Sequence, residues 1–180
     1  MKSFFGGSVL KTHLVSLLFL CGLPSVAHPQ QAAPKPGPFK ASAIQILQIQ
    51  SEDVKLPAEF QTALYENVIE QVDKTKRFQH VYRDGDSNSG NAPDLVTLQC
   101  TVTGFKQGNA ETRQVTTVAG ATTIAVHMKF TGKDGMSLFE TDAKGRVRFL
   151  GENLRATYDF GKKVGGVVRQ DFIATSSAPK

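Results

Sequence analysis

Tryptophan is absent from the 180-residue chain, and cysteine occurs twice, as Cys21 and Cys100. Cys21 lies in an N-terminal segment whose pattern predicts removal. The mature chain therefore holds one cysteine and no internal disulfide, even in a compartment where disulfides form. No serine stands in a Gly-x-Ser-x-Gly elbow. Gly161-Lys162-Lys163-Val164-Gly165-Gly166 lacks the Gly-Lys-Ser/Thr ending of a phosphate loop. Beyond residue 27 the histidines are His28, His80 and His127, and none has zinc-like spacing to another ligand. Asp84-x-Asp86-x-Asn88 imitates the start of a calcium loop, but its glycine comes late, at Gly90. Leu95 stands where the closing glutamate belongs. These absences argue against the commoner catalytic and metal chemistries and imply no cofactor.

The longest apolar run, Leu14–Leu23, is about half the ~20 residues that cross a bilayer. Lys2 and Lys11 precede it and Ser25-Val26-Ala27 follows. This is the layout of a secretory signal peptide over residues 1–27, cleaved after Ala27 to release a chain into the periplasm or the extracellular space. Membrane attachment would require lipidation at Cys21, and Leu20 stands where that processing uses a small residue. The full chain carries a net charge of +5, and loss of Lys2 and Lys11 leaves +3. A charge so small and so dispersed excludes nucleic acid as an expected partner. His28–Pro38 contains four prolines, so residues 28–39 read as an extended leader. Residues 40–174 make a single domain, and 175–180 a frayed tail.

Two segments carry the clearest strand patterns. In Leu95–Thr103 the apolar Val96, Leu98, Cys100 and Val102 alternate with Thr97, Gln99, Thr101 and Thr103. In Thr123–Thr131, Ile124, Val126, Met128 and Phe130 alternate with Ala125, His127 and Lys129. A period of two places each apolar set on one face of a sheet. Ile44–Gln50 is a shorter strand whose alternation slips between Ile46 and Leu47. Pro57 opens a helix with an apolar stripe of Phe60, Ala63, Leu64, Val68 and Val72. Phe78–Arg83 is a strand, and Asp84–Asp94, without a large apolar side chain, reads as a flexible surface loop. Gly132-Lys133-Asp134-Gly135 is hairpin chemistry. The stretches 137–141 and 146–150 form one bent strand or two. Phe160, Val164, Val167, Val168 and Phe172 give a last helix, interrupted by Gly161, Gly165 and Gly166. Those glycines delay its start or let it pack closely on the sheet. The fold expected is α+β: about five strands in an antiparallel or mixed sheet, two helices on one face, in the order β-α-β-β-β-β-α.

The connection between the central strands holds Gly104-Phe105-x-x-Gly108-Asn109-x-x-x-Arg113, followed by Ala119-Gly120-Ala121-Thr122-x-Ile124-x-Val126. With Leu56-Pro57-x-x-Phe60 and the final helix, this pattern resembles the bacterial envelope family known as domain of unknown function 4410, over residues 44–173. The segment 118–121 is less glycine-rich than that resemblance leads one to expect. The resemblance implies an exported chain, often a lipoprotein, with no assigned activity. The candidate binding residues are Gly104, Phe105, Gly108, Asn109 and Arg113, with Thr101 and His127 on the polar strand face. The plainer role of Gly104, Gly108 and Gly120 is to permit bends and positive φ. Arg113 has two readings, an internal pair with Glu111, Glu140 or Asp142 and a fork offered to an anionic partner. The function expected is a binding or assembly module whose partner is another envelope protein or a second copy of the chain. The alternative is a hydrolase of envelope material working through Glu140, Asp142 and His127, which requires those side chains to share a pocket.

Overall fold

The computed structural model describes residues 37–51, 53–115, 120–147 and 152–175. The signal peptide, most of the leader and residues 176–180 lie outside them. In chain order the elements are β1 (Phe39–Lys40), β2 (Ala43–Ile46), α1 (Ala58–Asp73), β3 (His80–Arg83), β4 (Leu95–Lys106), α2 (Ala110–Val115), β5 (Thr122–Gly132), β6 (Ser137–Val147), α3 (Arg155–Asp171) and β7 (Phe172–Ile173). A 3-10 helix, Ser87–Asn91, lies between β3 and β4.

Five strands form one sheet in the order β3-β2-β4-β5-β6, and β1 pairs with β7 in a separate parallel ribbon. The fold is α+β as the patterns predict, but the sheet is mixed. β2 runs parallel to β3 on one side and to β4 on the other, whereas β4, β5 and β6 are antiparallel. The cause is local. A helix joins β2 to β3, and a helical crossover returns the chain in the same direction. The slip after Ile46 marks the end of β2, and Gln50 rejoins the sheet through a single bridge to Thr101. The ambiguity over 137–147 resolves as one continuous strand.

Parallel pairing on both sides of β2 has a second effect. Ala43 pairs with both His80 and Leu95, and Ile46 with both Arg83 and Leu98. A chain leaving β3 at Arg83 must therefore travel back along the sheet to enter β4 at Leu95. Because α1 occupies the face holding Ile44 and Ile46, the return crosses the opposite face, above Ala43, which is buried. Residues 84–94 are thus a structured crossover, and the flexible surface loop is corrected. Asp86 caps the 3-10 helix, its Oδ1 accepting from the Asn88 backbone N–H at 2.9 Å, and Ser89 Oγ donates to the Asp86 carbonyl at 2.7 Å. Lys133 Nζ reaches from the β5–β6 turn to the Ala92 carbonyl at 2.7 Å. The calcium-like residues thus have other roles, for Asp84 also accepts from the Gln48 N–H at 3.1 Å.

The core lies between the sheet and the helices. Phe60, Leu64, Val68 and Val72 of α1 are buried, as are Phe160, Val164 and Val168 of α3, against Leu98, Cys100, Ile124, Met128 and Phe130. Each such side chain contributes about 1.5–3 kcal/mol by leaving water. Phe172 is also buried, but at the helix end, where the chain turns extended into β7 and the ring meets Phe78 at 5.2 Å. Tyr65 ties α1 to the sheet, its hydroxyl donating to the Ile46 carbonyl at 3.2 Å and accepting from the Asp84 N–H at 2.9 Å. The outer edge of β6 meets side chains of α3. Asp159 Oδ2 accepts from the Arg146 N–H at 2.9 Å, and Lys163 Nζ donates to the Lys144 carbonyl.

The glycines of α3 do not delay the helix, and they pack on α1 instead of the sheet. A Cβ on Gly161 would stand 2.7 Å from the Asn67 carbonyl oxygen, and one on Gly165 3.1 Å from that of Gln71. Gly166, one residue on, faces open space. This gives opposite outcomes for the same substitution in one helix. Gly161→Ala should destabilise by about 1–3 kcal/mol through overpacking. Gly166→Ala should stabilise by up to about 1 kcal/mol through helix propensity. Urea unfolding followed by circular dichroism checks both, and a shared sign would contradict the packing described.

Candidate functional site

With both helices on one face, the polar residues of β4, β5 and β6 form the opposite one. Cross-strand register sets their neighbours. Thr101 lies beside His127 and His127 beside Asp142, while Lys129 lies between Gln99 and Glu140. Thr97, Gln99, Thr101, Thr123, Ala125, His127 and Lys129 are all half-buried. Nothing described covers β4–β6 here, because the crossover roofs β2 and β3 at the other edge.

The three residues of the hydrolase reading do meet. His127 Nδ1 lies 3.0 Å from Asp142 Oδ1, and its Nε2 3.3 Å from Glu140 Oε2. Lys129 Nζ is also 3.3 Å from Glu140. The Lys129 ammonium, first, and hydrogen bonds from His127 and Ser137 hold the Glu140 carboxyl below its ordinary range, against an opposing effect of desolvation. The setting is a flat surface. The His127, Glu140 and Asp142 side chains are 38%, 43% and 78% exposed, and none of them lines a described cavity. Such a cluster can make a pH-dependent ionic contact, but it offers no water-excluded space in which a substrate would be held.

The glycine-containing connection is explained mainly by the fold. A β-bulge falls between Val102 and Gly104. The extra residue, Thr103, shifts the alternation, so Phe105 turns inward to pack edge-on against Phe60 at 4.9 Å. Gly104 and Lys106 then share the open face with Ala125 and Thr123. Gly108 is required by close approach, since a Cβ there would stand 1.9 Å from the Gly120 carbonyl oxygen. Asn109 caps α2, its Oδ1 accepting from the Glu111 N–H at 2.8 Å. Of the three glycines expected to permit positive φ, Gly120 alone has it, at 81°. Arg113 lies within α2, and its side chain is outside the described residues.

β6 brings charge to this face, for Lys144 and Arg146 stand beside Ala125 and Thr123, next to Lys106 on β4. The alternation Glu140, Asp142, Lys144, Arg146 carried that signal once 137–147 was known to be one strand. Also missed was the pairing of His80 with Tyr82, whose rings lie 5.8 Å apart and nearly parallel on β3. Their i, i+2 spacing was the available sign.

A mixed sheet with a helical layer on one face and an uncovered polar surface on the other defines a class of small α+β modules. Among solved structures, PelC from Paraburkholderia phytofirmans, a dodecamer, has a similar fold. It is 12% identical, aligned over 79% of this chain and 95% of that one, with a TM-score of 0.55. A single-site variant of PelC, also a dodecamer, is 11% identical over 76% of this chain and 92% of that one, with a TM-score of 0.51. At such identities the likeness is one of fold. No family profile matches the chain, and no curated protein does. The likeness to domain of unknown function 4410 thus rests on the motifs of residues 44–173.

Cys100, on the helix-facing side of β4, is fully buried, and burial pushes its thiol up to about 12. The thiol of an unfolded chain ionises near ~8.5. Stability from the protonated, buried thiol is therefore complete below ~8.5 and lost progressively as pH rises from there towards the folded value. The stability difference between wild type and Cys100→Ala should shrink from about pH 8 to about pH 11, as denaturant midpoints will show. In the same samples the native thiol should resist a disulfide reagent at pH 8 until denaturant is added.

Proposed function

We propose that this chain is an exported, non-catalytic assembly module that associates with copies of itself through the open face of β4, β5 and β6. The observation that carries the reading is that face. Eight adjacent positions from Thr97 to Lys129 are short or polar and half-buried to exposed, while the other side of the same strands is fully buried. A sheet surface of this kind can receive a second layer whose groups pair with its polar and charged side chains. PelC chains, which share the fold, assemble as dodecamers, and this supports self-association over a solitary existence. The charges of β6, acidic at Glu140 and Asp142 and basic at Lys144 and Arg146, suit a heterologous contact in which the acidic half of one copy meets the basic half of the next.

The hydrolase reading is weaker because His127, Glu140 and Asp142 meet on an open surface. Export rests on the segment 1–27, and among the described residues no helix is long and apolar enough to cross a membrane. Thr101, Gly104 and His127 belong to the proposed contact; Phe105, Gly108 and Asn109 shape the turn beside it.

Light scattering after size exclusion, with native mass spectrometry, tests the proposal. Wild type should give a discrete multiple of the chain mass. Thr101→Arg, which adds length and charge at the centre of the face, should shift the population towards monomer with its circular dichroism unchanged. A wild type that stays monomeric at all accessible concentrations, or a Thr101→Arg variant that assembles as wild type does, would overturn it.

A further inference from the structure

The crossover of residues 84–94 roofs part of the sheet without filling the space beneath it. A cleft of about 560 Å³ remains, floored by Ala43, His80 and Tyr82 and walled by Ser42, Gln79, Asn88, Asn91, Ala92 and Pro93. This lies within the size range of small-molecule sites. It is separate from the proposed assembly face, which β4, β5 and β6 supply.

We propose that this cleft binds a neutral saccharide. Among the described residues its lining contains no lysine, arginine, aspartate or glutamate, in a chain where those residues make up 21%. An ionic ligand would enter without a counter-charge, which is costly even in a partly closed site. What the walls offer instead is three side-chain amides. An amide both donates and accepts hydrogen bonds, and so does a sugar hydroxyl. The Asn91 side chain makes no hydrogen bond to any described residue, and Asn88 uses only its Nδ2, towards Asp86 Oδ1 at 3.0 Å. Ser42 Oγ is buried in the wall with no hydrogen-bond partner among the described residues.

The floor supplies the apolar half of the recognition. The His80 and Tyr82 rings stack on one another, their centres 5.8 Å apart and their planes 18° from parallel. Aromatic faces carry negative charge density that attracts the weakly positive C–H groups of a pyranose ring, while the amides take its hydroxyls. The rim is also fixed before any ligand arrives. Asp86 caps the 3-10 helix that bears Asn88 and Asn91, and Lys133 holds the Gly90 and Ala92 carbonyls from the neighbouring turn, at 3.3 and 2.7 Å. A rigid rim lowers the ordering cost of binding.

The test is titration of the purified protein with cellotetraose, chitotetraose and maltotetraose, followed by amide NMR shifts and calorimetry. Polygalacturonate and a tyrosine-containing neutral peptide are the contrasting probes. At least one neutral tetrasaccharide should shift the amides of residues 79–93. Tyr82→Ala and Asn91→Ala should each weaken its binding about tenfold or more. Asn91 is exposed and unbonded, so its variant keeps the test valid if Tyr82→Ala fails to fold. Thr101→Arg should bind the sugar as wild type does, whatever it does to assembly. Three results would overturn the inference: no neutral saccharide shifting those amides, the acidic polymer or the peptide binding there more tightly, or Asn91→Ala binding unchanged.

Discussion

The arrangement depends on β2 having parallel neighbours on both sides. A short strand paired in parallel twice needs two return paths, and two paths cannot occupy the same face. The chain gives α1 to one and residues 84–94 to the other. The helical return carries a broad apolar stripe and builds the core. The other return has only small and polar side chains, so it covers Ala43 without packing densely over it. The cleft beside His80 and Tyr82 thus follows from chain direction and composition together.

The bulge after Val102 plays a comparable part at the other end of the sheet. Without an extra residue, strict alternation would turn Phe105 to solvent and Lys106 to the core. With it, Phe105 closes the top of the core against Phe60, and Lys106 joins Thr123 and Arg146 on the open face. Burial of one aromatic ring and solvation of one ammonium both favour the bulged register, and both effects exceed the small cost of one disrupted ladder position.

Much of this was legible in the residues. The stripes of α1 and α3 and the alternation of β4 and β5 are long, regular and driven by burial, so period alone located them. The mixed direction of the sheet was less visible, because a period of two reads the same in parallel and antiparallel strands. The crossover was misjudged for a related reason. Asp84–Asp94 lacks apolar residues, and its order comes from Asp86, Ser89 and a lysine some forty positions away. The motif Gly104–Asn109 was found at the right place, but its close approach to Gly120 and its cap on α2 are backbone matters that residue types announce only weakly. The charges of Lys144 and Arg146 were plain, and only the continuity of β6 assigned them to a face.

The seal on the outer edge of β6 bears on which contacts between copies of the chain are open. Strand addition, the route by which exposed edges recruit further copies into fibres, needs free N–H and C=O groups in sequence along the border. Here the Arg146 N–H already serves Asp159, and the Lys144 carbonyl serves Lys163, both from α3. Over that stretch the sheet is finished off by side chains, as a hem finishes cloth. Its width is thereby set at five strands on that side, and copies that crowd together are steered towards layering.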